Sequence, residues 1–415
     1  MSSERVGVLL VGLNGATANT TVAGSLALKM GLTDNCDGMI TETELFSHID
    51  LVRFNQFVFG GWDVNGYDAY KSARFNKVLE PWLIEDLRPG LEQIRPWKAV
   101  TTEHDVDAAK KADNVMIASS LQEGLNALKQ DILSFKDQHH LDKAIVVYLA
   151  SPLKQVKLKD IHEDLSKFRQ ALIDNDESIS SAMLYALAAI ETGCPFVDFT
   201  PNVTLKIPAI LQLAEIKNVP LAGRDGNTGQ TLIKTVIGQM FKIRNLKLHG
   251  WYSTNILGNN DGLVLSMPEH RQIKMEDKLG VLEPVLGYNH FTHIVDIHYY
   301  PPRGDNKEAW ESIDFSGWLG MPMSVKINWL GRDSILAAPL IIDLARLMEF
   351  SLRRGDYGIQ SQLAIYFKHP LGASARGFFD QYMLLKNYYS GLKELLPETN
   401  SNRQAGKQPE VLAYT

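Results

Sequence analysis

Val6-Gly7-Val8-Leu9-Leu10-Val11 runs straight into Gly12-Leu13-Asn14-Gly15-Ala16-Thr17-Ala18, and this stretch decides the fold. The first six residues are apolar, rich in β-branched side chains and without alternation. A strand with both faces covered, as in a parallel sheet, reads this way. Thr20 to Leu28 then offers small and apolar residues suited to a helix packed close to that sheet. Strand, glycine turn and helix in this order form the context of a dinucleotide fingerprint. The glycines let the backbone approach a pyrophosphate, whose charge the helix N-terminus stabilises. The spacing is Gly-x-x-Gly-x-x-Ala rather than the common Gly-x-Gly-x-x-Gly. A tight βα turn without a ligand has the same look, so the rest of the chain must arbitrate.

Outward from the turn, strand-like and helix-like patterns alternate to about residue 200. Phe57-Val58-Phe59 leads into Gly60-Gly61-Trp62-Asp63, Asn114 to Ala118 is another strand, and Lys143 to Ala150 is the clearest central one. Ser180 to Thr192 predicts a helix with Gly193 as its stop signal, followed by a strand from Cys194 to Asp198. This order predicts an α/β fold with a doubly wound parallel sheet. Near residue 230 the pattern changes. Thr231 to Phe241 predicts an amphipathic helix. Leu246–Trp251, Leu263–Leu265, Thr292–Tyr299 and Met323–Trp329 predict a half-exposed or mixed sheet, and Ser334 to Leu352 a long helix interrupted by Pro339. The expected organisation is a Rossmann-type domain over 1–230 and 337–396, with an inserted α+β domain over 231–336. A polar tail, 397–415, is expected to be mobile.

The 415 residues suffice for two domains and a large core. Hydrophobic residues at 45% and charged residues at 22% are ordinary for a globular chain. A net charge of -6 gives no electrostatic footprint for nucleic acid, so an anionic substrate must be captured by local lysines. Two distant cysteines, Cys36 and Cys194, give no disulfide framework and point to a reducing compartment, with Cys194 in the core. No stretch reads as a signal peptide or a membrane span, which predicts a cytoplasmic protein. The histidines, among them His139, His140, His290 and His293, form no zinc motif and read as surface residues. No Walker loop or nucleophile elbow is present.

Several polar clusters remain. Leu257-Gly258-Asn259-Asn260-Asp261-Gly262 packs two amides and a carboxylate into six residues, and Lys274 and Lys278 follow one helical turn apart. An Asn-Asp-Gly turn before a solvated helix has the same composition. Asp63 closes a strand, where it either holds ribose hydroxyls or caps a helix. Gly223-Arg224-Asp225-Gly226-Asn227-Thr228-Gly229-Gln230 is either an anion nest or a plain capped loop. Gly304-Asp305-Asn306-Lys307 reads as a solvated turn, and Gly331-Arg332-Asp333-Ser334 as a helix cap. Lys368 ends the apolar run Tyr366-Phe367.

Together these segments resemble the myo-inositol-1-phosphate synthase (inositol-3-phosphate synthase) family, from Gly12 to the Lys368 region. The Leu257–Gly262 stretch with Lys274 and Lys278 carries the resemblance most specifically. It is joined by Gly304-Asp305-Asn306-Lys307, Asp333-Ser334-Ile335-Leu336-Ala337-Ala338-Pro339, Gly223-Arg224-Asp225 with Gly229-Gln230-Thr231, and Phe59-Gly60-Gly61-Trp62-Asp63. The resemblance implies a homotetramer that converts glucose 6-phosphate to inositol phosphate with no net redox change. NAD oxidises C5, an enolate forms at C6, C6 attacks the C1 aldehyde, and the ketone is reduced again. It implies that Lys274, Lys278, Lys307 and Lys368 line the substrate, with Lys274 and Lys368 on the reacting oxygens. Asp225, Asp261 and Asp333 position the lysines and the nicotinamide, and Asn259 and Asn260 donate to substrate or cofactor. The cofactor side comprises Gly12, Asn14, Gly15, Ala16, Asp63, Ala150, Ser151, Thr228 and Asp305 as well as Asn260 and the three aspartates. A divalent or monovalent cation is left open, Asp305 either binding one or pairing with Lys307. The chain is shorter than eukaryotic members, which suggests a bacterial type.

This sequence departs from the family pattern at Ala18, where Gly is common, and at Ser151-Pro152, where Pro lacks a donor. It departs further at Ile256, at His298, and at Arg224 and Arg332, where acids are common. Two other readings stand beside the synthase: an NAD-dependent dehydrogenase or cyclase acting on another sugar phosphate, and a catalytically silent assembly protein. Net NADH release favours the dehydrogenase, and the four lysines speak against the silent protein.

Overall fold

A computed structural model describes residues 5–101, 112–150, 156–258 and 280–393. Eight strands form one wholly parallel sheet: β1 (Val6–Val11), β2 (Phe57–Asp63), β3 (Trp97–Thr101), β4 (Val115–Ile117), β5 (Lys143–Tyr148), β6 (Phe196–Asp198), β7 (Pro220–Gly223) and β12 (Gly358–Ile359). Their order is β12-β7-β6-β5-β1-β2-β3-β4. The order reverses between β1 and β5, which makes the crevice beyond the C-terminal ends of these two strands the ligand-binding position of a doubly wound sheet.

β1 occupies that centre because all six of its residues can be buried. Val6, Val8 and Leu10 enter one core and Leu9 and Val11 the other, so the two-residue period divides the strand between two layers. The first layer holds α1 (Ala16–Met30) and a long helix, Asp333–Arg354. The second holds helices Leu121–His139, Ser181–Glu191 and Pro208–Lys217. In chain order these are α1, α2 (Leu121–His139), α3 (Ser181–Glu191), α4 (Pro208–Lys217), α5 (Gly229–Ile243) and α6 (Asp333–Arg354). Helix α1 stops where Gly31, at φ +69°, donates back to Ala27 and Leu28. Pro339 does not interrupt α6, against the expectation from sequence. The helix runs unbroken through it, and Gly38 and the loop after it cover that turn, Ile40 N–H reaching Asp343 at 2.7 Å.

A second sheet has the order β11-β10-β8-β9, from β8 (Lys247–Leu257), β9 (Thr292–Tyr299), β10 (Asn306–Ser316) and β11 (Pro322–Arg332). Strand β8 is longer than the sequence predicts, and β10 was not predicted at all. Buried Glu308 and Glu311 break the apolar alternation that marks a strand. Phe241 from α5 packs on Leu248, Trp251, Ile313 and Phe315 beneath this sheet. The expected strand at Leu263–Leu265 and the tail 397–415 lie outside the described residues. Among the described residues no helix is long and apolar enough to cross a membrane.

Candidate active site

The turn after β1 is built for close approach. Gly12 sits at φ +90°, and a Cβ there would lie 3.1 Å from the backbone N and Cα of Ala150, at the end of β5. Gly15 precedes α1 and supplies no side-chain cap, so the first-turn N–H groups, including that of Ala16, have no capping side chain. Asp63 is buried beside this turn. Its Oδ2 accepts Asn14 N–H at 2.8 Å and its Oδ1 accepts Asn65 N–H at 2.9 Å. Burial pushes its carboxyl above the ordinary value, opposed by these backbone hydrogen bonds. The helix-cap alternative for Asp63 falls away, because Asp68 caps the next helix through Lys71 N–H. Asn14 Nδ2 donates to the carbonyls of Asn65 and Tyr67, while its buried Oδ1 has no partner among the described residues. An open helix start, a buried acid at the β2 end and an unspent acceptor fit a dinucleotide. Ala18 is buried in the apolar layer, so its methyl is accommodated where the family often carries Gly.

Two lysine–carboxylate pairs form elsewhere, one just after β7 and one at the start of α6. Lys368 Nζ donates to Asp225 Oδ1 at 2.8 Å, and Lys307 Nζ to Asp333 Oδ2 at 2.6 Å. The partners are 143 and 26 residues apart in sequence. Backbone bonds fix the first pair: Lys368 N–H reaches Asp225 O at 2.7 Å and Asp225 N–H reaches Thr200 O at 3.0 Å. The second pair abuts the start of α5. Gly229, at φ +61°, would place a Cβ 3.0 Å from Asp333 Oδ1. Asp225 lies four residues before Gly229, so the two sites are bridged by at most about 14 Å of chain. Thr228 precedes α5 without a side-chain cap.

The cap reading of Asp333 is corrected, since Arg332 is the cap residue of α6 and Asp333 pairs with Lys307. The solvated-turn reading of Asp305 is corrected too. It is buried, and its Oδ1 accepts Ser334 Oγ at 3.2 Å. Lys307 therefore spends its ammonium on Asp333. Arg224 and Arg332 donate to the carbonyls of Pro201 and Val78, so both serve backbone carbonyls where acids are common. Asn259, Asn260, Asp261, Lys274, Lys278 and Ser151 lie outside the described residues. Gly258, just before them, packs against the backbone of Gly304. Among the described residues no three His, Cys, Asp or Glu cluster as a metal site.

Sequence reasoning missed two features. Asp198, at the end of β6, is fully buried. Thr200 Oγ1 and N–H both donate to its Oδ1, at 2.6 and 3.0 Å, and its Oδ2 has no partner among the described residues. Burial raises its pKa to about 7, and the nearby Asp225 charge adds to this. The second feature is a buried polar cluster between α5 and the second sheet. Lys234 Nζ lies 2.8 Å from His293 Nε2, and burial lowers the lysine to about 8. His293 is thus not the surface residue the sequence suggested. A lysine five residues into a helix reads as solvated, and nothing local reveals the strands covering it. Cys194 is fully buried, as the sequence predicts, and burial pushes its thiol up.

An NAD-binding family model described as myo-inositol-1-phosphate synthase matches residues 6–390. The chain is 38% identical to inositol-3-phosphate synthase 1 of Bacteroides thetaiotaomicron, covering 99% of this chain and 98% of that one. Its fold is similar to that of the inositol-3-phosphate synthase of Caenorhabditis elegans, with a TM-score of 0.87 at 26% identity, covering 98% and 90% of the two chains. A myo-inositol-1-phosphate synthase-related protein of Thermotoga maritima shares the fold, with a TM-score of 0.74 at 22% identity over 93% and 99% of the chains. A family model that spans nearly the whole chain, together with 38% identity over 99% of it, shows that the protein belongs to the myo-inositol-1-phosphate synthase family.

Proposed function

We propose that the Lys368–Asp225 and Lys307–Asp333 pairs form the reacting end of an inositol-3-phosphate synthase site whose cofactor end is the Gly12–Asp63 crevice. The enzyme converts D-glucose 6-phosphate to 1D-myo-inositol 3-phosphate by C5 oxidation, enolisation, intramolecular aldol cyclisation and re-reduction. The observation that carries this reading is the convergence of two half-buried ammonium groups, drawn from distant segments, beside the start of α5. Bound NAD supplies reversible oxidation at C5.

The chain supplies the rest. The α1 N-terminus and Asp63 hold the dinucleotide. Lys368 stabilises the oxygen that becomes negative as the enolate and then the alkoxide form, and a preorganised cation in a site closed to water is worth most at that moment. Lys307 clamps the phosphorylated sugar. Asp225 and Asp333 hold each ammonium in place before substrate arrives. The family resemblance adds Lys274, Lys278, Asn259, Asn260 and Asp261 as further candidates for the substrate. Incubation with glucose 6-phosphate and catalytic NAD should give an inositol phosphate identified by NMR, whereas stoichiometric NADH would overturn the synthase reading.

Asp63→Ala should weaken NAD binding by about 1–3 kcal/mol, the worth of hydrogen bonds to a charged group. Calorimetry giving unchanged affinity would remove Asp63 from the site. The inserted unit over 231–336 also carries assembly. Tyr252, Ile294, Trp310 and Leu330 stand exposed on the face of the second sheet turned away from α5. Such an apolar face suits an interface, and light scattering should report a homotetramer, a monomer sinking this part. Free Cys36 and Cys194 suit a reducing cytoplasm, which fractionation of the source cells checks.

A further inference from the structure

We propose that Glu311 is a positioning residue for the reaction: through Gln230 it fixes the first turn of α5, and with it the separation of the two lysine–carboxylate pairs. Glu311 lies on β10, on the same face as Lys307 and four residues further on. Its carboxylate is buried and accepts three hydrogen bonds: from Gln230 Nε2, from Trp251 Nε1 at 2.5 Å and from Ser253 Oγ at 2.6 Å. Gln230 is fixed at both ends of its amide, because its Oε1 accepts Asn255 Nδ2 at 2.9 Å. Gln230 is the second residue of α5. The residue before it, Gly229, presses against Asp333, and Asp225 lies four residues back. The start of α5 is therefore clamped between Glu311 on one side and the Lys307–Asp333 pair on the other.

Stability alone does not call for this network. An apolar cluster around Phe241, Leu248 and Ile313 already fastens the far half of α5 to the sheet. A buried carboxylate is an expensive way to add adhesion, and well-packed apolar side chains serve as well or better. What directional hydrogen bonds add is a fixed register, and they are placed at the end of the helix that meets the reacting groups. Lys234, one turn along, contributes the nearby positive charge and is itself tied to His293 on β9.

The inference rests on the synthase reading, and two readouts separate their failures. In Glu311→Gln, kcat should fall on the order of 30- to 100-fold, as for a misplaced reacting group, with NAD affinity unchanged and a cooperative melt retained. Gln230→Glu should behave alike. The double variant Glu311→Gln/Gln230→Glu, which restores a carboxylate–amide pair with the charge on the other side, should recover much of the loss. Independently of turnover, amide exchange across residues 225–231 should quicken in Glu311→Gln while exchange in β1 and β5 stays put. A wild-type protein inactive on glucose 6-phosphate would refute the synthase reading and leave the exchange result to judge Glu311. Unchanged exchange across 225–231, unchanged kcat in a folded Glu311→Gln, or a double variant no faster than the single ones would overturn the proposal.

Discussion

Lys368→Ala is expected to abolish inositol phosphate formation while NAD still binds with wild-type affinity. The ammonium lies 2.8 Å from Asp225, and its backbone is tied to the same residue. Removing a preorganised group from a developing oxyanion costs about 3 kcal/mol or more in the barrier, more than a hundredfold in rate. The NAD contacts proposed at Gly12 and Asp63 belong to other strands, β1 and β2, and the change does not touch them. Part of any loss reflects Asp225, a mostly buried carboxylate left without its cation. Lys368→Met and Asp225→Asn/Lys368→Met separate the two effects. If the catalytic assignment holds, the double variant regains thermal stability and stays inactive. Wild-type rates in Lys368→Ala, or a double variant that regains activity, would remove Lys368 from the chemistry.

The second large effect is on stability, at Asp198. The folded chain raises this carboxyl from 3.8 to about 7, chiefly by burial. The folded protein therefore holds the proton more tightly than the unfolded chain. The associated stability is fully present below pH 3.8 and is lost as pH rises through about 7. A shift of about three units corresponds to about 4 kcal/mol between those limits. Asp198→Asn keeps the shape and an oxygen for Thr200 but carries no charge to bury. At pH 8 the variant should unfold at higher denaturant than wild type, by up to about 4 kcal/mol, and near pH 4 the two should converge. Urea midpoints measured at pH 4, 6 and 8 decide it. A difference that is flat with pH would contradict the assignment.

The parallel sheet was legible because β1 and β5 are hidden on both faces, and such strands must be written as unbroken apolar runs. The glycine turn was legible for a similar reason, since Gly12 meets Ala150 backbone where a side chain has no room. Strand β10 was illegible because Glu308, Glu311 and Lys307 occupy positions that a half-buried strand normally fills with apolar groups. Lys307 and Glu311 lie on one face of that strand, and Lys307 pairs with Asp333. Pro339 misled because a helix interior usually excludes proline, whereas here the covering loop packs on that turn. Neither lysine–carboxylate pair was available to periodicity or spacing. Lys368 and Asp225 meet only after the fold brings β7 and the segment beyond β12 together, and only the resemblance to a family pointed to them. The Glu311 network had no sequence signal at all, since Gln230 and Lys234 are common on solvated helix faces.

The central claim is that the cofactor is reoxidised within each turnover, so that the site isomerises its substrate and releases no reducing equivalents. Glucose 6-phosphate labelled with deuterium at C5, incubated with the protein and an excess of unlabelled NAD, tests this most directly. Retention of the label at the corresponding carbon of the inositol phosphate, read by NMR with free NADH unlabelled, is the result this structure predicts. Deuterium appearing in free NADH, with an oxidised sugar phosphate as product, would contradict it and make the protein a dehydrogenase.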